Sequence, residues 1–150
     1  FRSDAFLAET LAATPLDAVQ LHGSETADRV AQVKARFGLP VWKVLSVSAR
    51  EDLQRGSAFA EAADFLLLDA KTPKGTLPGG MGLSFDWTLL GGWKAPLPWG
   101  LAGGLSPSNV GNAIRLTGAP LVDTASGVES APGVKDANLI AAFCAAAASA

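Results

Sequence analysis

A chain of 150 residues that is 49% hydrophobic and 17% charged has the size and apolar content of one ordinary globular domain. Its formal net charge of -2, with the basic residues scattered, excludes the electrostatic footprint of a nucleic-acid or anionic-membrane binder. The single cysteine, Cys144, excludes an internal disulfide framework and fits a reducing cytoplasm, and no apolar run approaches the roughly 18 residues of a membrane span or follows the order of a signal peptide.

Along the chain two periods alternate. Asp4 to Ala13 carries Phe6, Leu7 and Leu11 at helical spacing and stops before Pro15. Leu16 to Gly23 (LDAVQLHG) is a short apolar run ending in polar residues, which suits a buried strand. Ser24 is expected to cap a helix with Val30, Val33 and Phe37 on one face, closed by Gly38 and Pro40. Val41 to Val47 reads as a second strand, Arg50 to Ala62 as a helix weakened by Gly56, and Ala63 to Ala70 as a third strand. A glycine-rich loop follows, then a short helix over Asp86 to Leu90.

Trp99 to Leu105 predicts a fourth strand, with Ser106 and Pro107 expected as cap and first residue of a helix over Ser108 to Leu116. Leu121 to Ala125 predicts a fifth strand, and Asp136 to Ala148 a last helix in which Cys144 reads as a small buried hydrophobe. Strand runs that are apolar on both faces, each followed by a helix, predict a parallel sheet of repeating βα units in one domain spanning residues 1–150.

Each strand ends in polar or small residues. Gln20 and His22 close the first strand, Asp69 and Lys71 the third, Gly103 and Gly104 the fourth, and Asp123, Ser126 and Gly127 the fifth. In a parallel arrangement these ends collect at one rim, and in a (βα)8 barrel that rim is where active sites are built. The segments AGGLS and TASGVE suit a phosphate site, because glycine lets backbone N–H groups approach an anion. No pair of histidine, cysteine or carboxylate residues has metal-ligand spacing, so neither a metal nor another cofactor is expected.

Four segments together resemble one family, the phosphoribosylanthranilate isomerases of tryptophan biosynthesis. They are DAVQLHG at Asp17 to Gly23, FLLLDAKTP at Phe65 to Pro73 followed by GGMGLSFDW, LAGGLSPSNV at Leu101 to Val110, and VDTASGVESAPGVKD at Val122 to Asp136. The resemblance implies an α/β fold, a (βα)8 TIM barrel of which this chain supplies about five βα units, the fourth to eighth. It implies an Amadori rearrangement of a phosphorylated aminoaldose to an aminoketose. The reaction uses an acid that opens the ribose ring and a base that removes the neighbouring carbon's proton. Asp69 matches the family's general acid, held protonated by its apolar strand. Gly103, Gly104, Ser126 and Gly127 match the phosphate loops, and Gly75, Gly79, Gly80 and Gly82 leave the loop after Asp69 free to cover a substrate.

The family's base is a cysteine in a KICG-like motif on the first strand, and the arginine that meets the anthranilate carboxylate is also early; neither has a match here. The chain begins at Phe1 rather than Met, and a whole barrel needs roughly 200 residues or more. The expectation is a fragment without the first three strands, inactive alone, that self-associates through an open sheet edge. Two other readings stay open: a catalytically silent half-barrel scaffold, and another phosphate-binding barrel such as a pentose phosphate epimerase, which the single histidine disfavours. His22 either lines the substrate site or ties a loop to backbone, Asp123 either orients substrate or bonds neighbouring backbone, Asp69 is either the acid or a helix cap or salt-bridge partner, and Gly103 and Gly104, the resemblance aside, serve tight packing as readily as a phosphate. Trp42, Trp87, Trp93 and Trp99 are expected in packing, and Glu129 with Lys135 as a solvated or loop-fixing pair.

Overall fold

A computed structural model describes residues 3–70 and 86–150; Lys71 and the glycines at 75, 79, 80 and 82 lie outside the described residues. The elements run α1 (Asp4–Ala13), β1 (Val19–Leu21), α2 (Ala27–Phe37), β2 (Val41–Val47), α3 (Arg50–Gln54), β3 (Phe65–Ala70), β4 (Trp99–Leu101), α4 (Val110–Thr117), β5 (Glu129–Ala131), β6 (Val134–Lys135) and α5 (Ala137–Ala148). Strands β1 to β4 form one sheet in chain order, every pairing parallel, and Val122 adds a parallel bridge to Leu101. This sheet with its connecting helices is part of a (βα) barrel, and each strand therefore ends at the same rim.

Alternation along the strands separates two apolar layers. Leu66 and Leu68 of β3 pack with Val41, Leu45 and Val47 of β2, Leu101 of β4, and Val30 and Val33 of α2 in the larger layer. Leu67 turns the other way, with Val44 and Ala102, into a smaller cluster that Phe65 and Leu121 flank. Asp69, two residues beyond Leu67, belongs to this second face. Leu66 is fully buried in the strand at the centre of the sheet. Leu66→Ala is therefore expected to cost about 3 kcal/mol, read as a lower midpoint in urea denaturation with the slope unchanged.

Several elements are shorter than their apolar runs suggest. β1 is three residues long, and Lys43 is its last partner in register on β2. The expected cap Ser24 is replaced by Thr26, whose hydroxyl accepts from the Arg29 N–H at 3.3 Å. Glu25 is drawn inward to Lys43, so the helix begins after it. The helix expected from Arg50 to Ala62 divides into α3 and a 3-10 turn over Arg55–Phe59. Gly56 there is buried against Leu66 and Leu45.

The fourth strand ends at Leu101 because Gly103 and Gly104 both take positive φ, 82° and 64°. Pro107 does not open the next helix. Asn109 folds its carboxamide back, accepting from the Ser106 N–H at 2.8 Å and donating to the Gly104 carbonyl at 2.9 Å, and α4 starts at Val110. The fifth predicted strand is reduced to the Val122 bridge, held by Leu101 N–H to Leu121 O and Asp123 N–H to Leu101 O, both 2.9 Å. The hairpin β5–β6 was not expected from the sequence. On α5 the periodicity turns Phe143 inward, and Cys144, one position on, is exposed rather than buried.

Ion pairs tie helices to strand ends. Asp64 accepts from Lys34 Nζ at 2.7 Å and from the Val41 N–H at 2.8 Å. Burial acts against its charge, yet these two donors hold its carboxyl below the usual range. Its folded pKa is depressed, so this anchor is present at neutral pH and weakens as acid protonates the carboxylate. No helix among the described residues is long and apolar enough to cross a membrane.

Candidate active site at the strand rim

The rim brings together the side chains and loops singled out in the sequence. Asp69 lies at the end of β3 opposite Ser46 of β2, and His22 follows β1 directly. His22 Nε2 stands 3.5 Å from Asp69 Oδ2, with 26% of the aspartate side chain exposed. Burial raises the Asp69 pKa; His22 and the Ala70 N–H pull it down, Asp123 pushes it up, and the net direction is upward. The apolar strand thus favours a protonated carboxyl, which is what a general acid needs. Asp123 follows the Val122 bridge to Leu101, its main-chain N–H donating to the Leu101 carbonyl at 2.9 Å.

Gly103 is the close-approach position of this site. A Cβ added there would stand 2.6 Å from Asp69 Oδ1 and would overlap the Ala70 N–H, in a backbone conformation that side chains rarely adopt. Glycine lets β4's exit loop close onto the acid. Among the described residues, none accepts a hydrogen bond from the N–H of Gly103 or Gly104.

The two glycine loops are stitched to each other. Thr124 Oγ1 donates to the Leu105 carbonyl at 2.7 Å, and a Cβ on Gly127 would overlap that same carbonyl oxygen while standing 2.8 Å from Thr124 Oγ1. Ser126 and Gly127 open a 3-10 turn fixed from outside by Lys135, whose Nζ donates to the Ala125 carbonyl at 2.7 Å and to Glu129 Oε1 at 2.6 Å. Of the two roles expected for that pair, fixing the loop is the one its bonds perform. The loops carrying Gly103, Gly104, Ser126 and Gly127 are therefore adjacent, as one anion would require.

Sequence reasoning missed two residues at the rim. Asn109 organises the AGGLS loop, and its signal was a carboxamide three residues after Ser106, a spacing that allows a turn. Lys43 is buried beneath the loop that carries His22. Its signal was a lysine inside an otherwise apolar strand. The tryptophans pack: Trp42 stacks on Phe65 with centroids 4.4 Å apart, and Trp93 meets Trp99 edge-on at 5.4 Å. Gln20 and His22 also line a cleft of about 250 Å³ with Leu7, Glu25 and Arg29 beside β1.

A parallel βα sheet that gathers a half-buried aspartate and two joined glycine loops at one rim defines the class of (βα) barrel proteins. Residues 2–146 match the model of the N-(5'-phosphoribosyl)anthranilate (PRA) isomerase family, and the chain belongs to that family. It is 58% identical over 143 residues to the N-(5'-phosphoribosyl)anthranilate isomerase of Paracoccus denitrificans, covering 95% of this chain and 66% of that protein. The crystal structure of phosphoribosyl anthranilate isomerase from Thermotoga maritima superposes with a TM-score of 0.83 at 35% identity, over 97% of this chain and 68% of that one. A further solved phosphoribosyl anthranilate isomerase, in complex with reduced 1-(o-carboxyphenylamino)-1-deoxyribulose 5-phosphate, superposes with a TM-score of 0.79 at 31% identity, over 97% and 66% of the two chains. The chain thus spans about two thirds of the length of the curated relatives it matches.

Proposed function

We propose that these residues supply the acid and the phosphate cradle for isomerising N-(5'-phosphoribosyl)anthranilate to 1-(o-carboxyphenylamino)-1-deoxyribulose 5-phosphate, a step of tryptophan biosynthesis. The observation that carries this reading is Asp69, a carboxyl at a barrel rim whose proton is favoured by burial. Asp69 gives that proton to the ribose ring oxygen as the C1′–O bond breaks. The nitrogen lone pair forms the C=N bond of the opened Schiff base. A base then takes the C2′ proton, and the resulting enolamine becomes the ketose.

The backbone N–H groups of Gly103 and Gly104, with Ser126 and Gly127 on the adjoining loop, hold the 5′-phosphate. That contact fixes the sugar so that the ring oxygen meets Asp69. His22, 3.5 Å from the acid, lines the same site, and Asp123 orients the sugar hydroxyls. The cysteine base implied by the resemblance has no counterpart on a strand among residues 1–150, and Cys144 faces outward from α5. The 150-residue polypeptide alone is therefore expected to be inactive, with the base coming from strands outside these residues and covering the β1 edge; without them, self-association at that edge is expected.

The acid's titration gives a pH test. Asp69 acts protonated, so turnover of the complemented enzyme should fall as pH rises through its elevated pKa. The stability sign follows from the same shift. A carboxyl that holds its proton more tightly when folded favours folding at low pH, and this contribution is lost as the pH rises through the folded value. A fall of kcat with rising pH that persists in Asp69→Asn would assign that limb to another group.

A further inference from the structure

Lys43 is the most deeply buried ionisable residue at the rim, its side chain 3% exposed, and it has no part in the chemistry proposed above. It belongs to the helix-side face of β2, opposite in sense to Asp69. A buried ammonium is costly unless its donors are satisfied. Here they are: Nζ donates to the Gly23 carbonyl at 2.9 Å, the Val44 carbonyl at 2.9 Å, Glu25 Oε2 at 3.0 Å and, more weakly, the Leu21 carbonyl at 3.4 Å.

The choice of acceptors is informative. Leu21 and Gly23 are the residues on either side of His22, so one ammonium grips the main chain before and after the imidazole. Glu25 Oε2 also accepts from the Gly23 N–H at 3.0 Å, closing the same turn from its far end. Gly23 is fitted to this arrangement, since a Cβ there would stand 2.7 Å from Glu25 Oε1. Two of the four acceptors flank His22, and a third, Glu25, braces the same turn. The bonds also cross the sheet edge, because β1 is a three-residue strand with little ladder of its own to fix its exit.

We infer that Lys43, with Glu25 as its counter-ion, is a positioning residue: it clamps the Leu21–Gly23 main chain from behind the sheet and so holds the His22 imidazole against Asp69. This rests on the reading of His22 and Asp69 as one site. Without the clamp the backbone after β1 is free to turn, and His22 leaves the acid.

His22 is the only histidine, so its Cε1–H resonance in the full 150-residue chain reports on this contact without assignment ambiguity. Asp69→Asn should displace that resonance in the otherwise unaltered chain. The same substitution placed on Lys43→Met, which keeps an apolar stem, should leave it unmoved. Because Lys43→Met strands the Glu25 carboxylate, the double change Lys43→Met with Glu25→Gln removes both charges together and is expected to fold; it should likewise lose the response.

A full Asp69→Asn displacement in the folded double variant overturns the inference and leaves the site reading intact. No displacement in the unaltered chain overturns the His22–Asp69 contact, and the inference falls with it. A lysine with a merely structural role would lower the melting temperature and leave the displacement unchanged.

Discussion

Asp69→Asn in the complemented enzyme should reduce kcat by roughly 100-fold or more, the range associated with loss of a positioned general acid, while the fold is kept. The asparagine side chain has nearly the same shape and meets the same neighbours, His22 and the close face of Gly103. It also cannot ionise. Since burial disfavours the charged form of Asp69, removing the charge should leave the melting temperature at neutral pH equal or higher. Loss of turnover together with retained stability separates a chemical role from a structural one. Circular dichroism melts alongside single-turnover rates make that comparison, and a variant that keeps its rate removes Asp69 from the chemistry.

Gly127→Ala should produce the opposite pattern, with loss of stability and of phosphate binding together. The added methyl would overlap the Leu105 carbonyl oxygen, which is already fixed by Thr124 Oγ1 at 2.7 Å, so neither neighbour has room to yield. Forcing the methyl in should part the two glycine loops at a cost of about 3 kcal/mol, the upper part of the usual range for overpacking. Chemical denaturation reads the stability. The 31P line of a ribose phosphate ester reads the cradle, and its broadening on binding should disappear in the variant. Unchanged stability would show that the loops are not pressed together as the structure has them.

The parts of the fold legible in the sequence were those governed by local rules. α1 matches its apolar spacing and β2 its apolar run, and β3 falls within Ala63 to Ala70; α5 begins after its Asp136 cap, whose carboxylate accepts from the Asn138 and Leu139 N–H groups. The exits were less legible because they depend on partners distant in the chain. Ser24 gave way to Thr26 because Glu25 is drawn to Lys43, 18 residues on. Pro107 failed to open α4 because Asn109 claims the turn. The run Leu121 to Ala125 keeps strand-like bonds to Leu101 only around Val122.

The candidate site shows the same division. Asp69 was singled out as a carboxylate at the end of an apolar run and by its match to the family's acid, and the glycines as two loops of the same character closing successive strands. That Gly103 presses on Asp69 itself could not be read from spacing, since it depends on the parallel register of β3 and β4. Lys43 stayed hidden for a related reason. A lysine in a strand reads as a side chain reaching for solvent, and only the fold shows that its ammonium is enclosed by the carbonyls of β1's exit.

The most direct measurement is isomerase turnover, followed by the fluorescence of the anthranilate adduct, for the 150-residue chain alone and then mixed with a segment supplying the first three barrel strands of a relative. Silence from the chain alone, turnover on mixing, and loss of that turnover when the 150-residue chain carries Asp69→Asn are expected. Turnover that survives Asp69→Asn, or silence on mixing together with absent phosphate-ester binding, would contradict the proposed function.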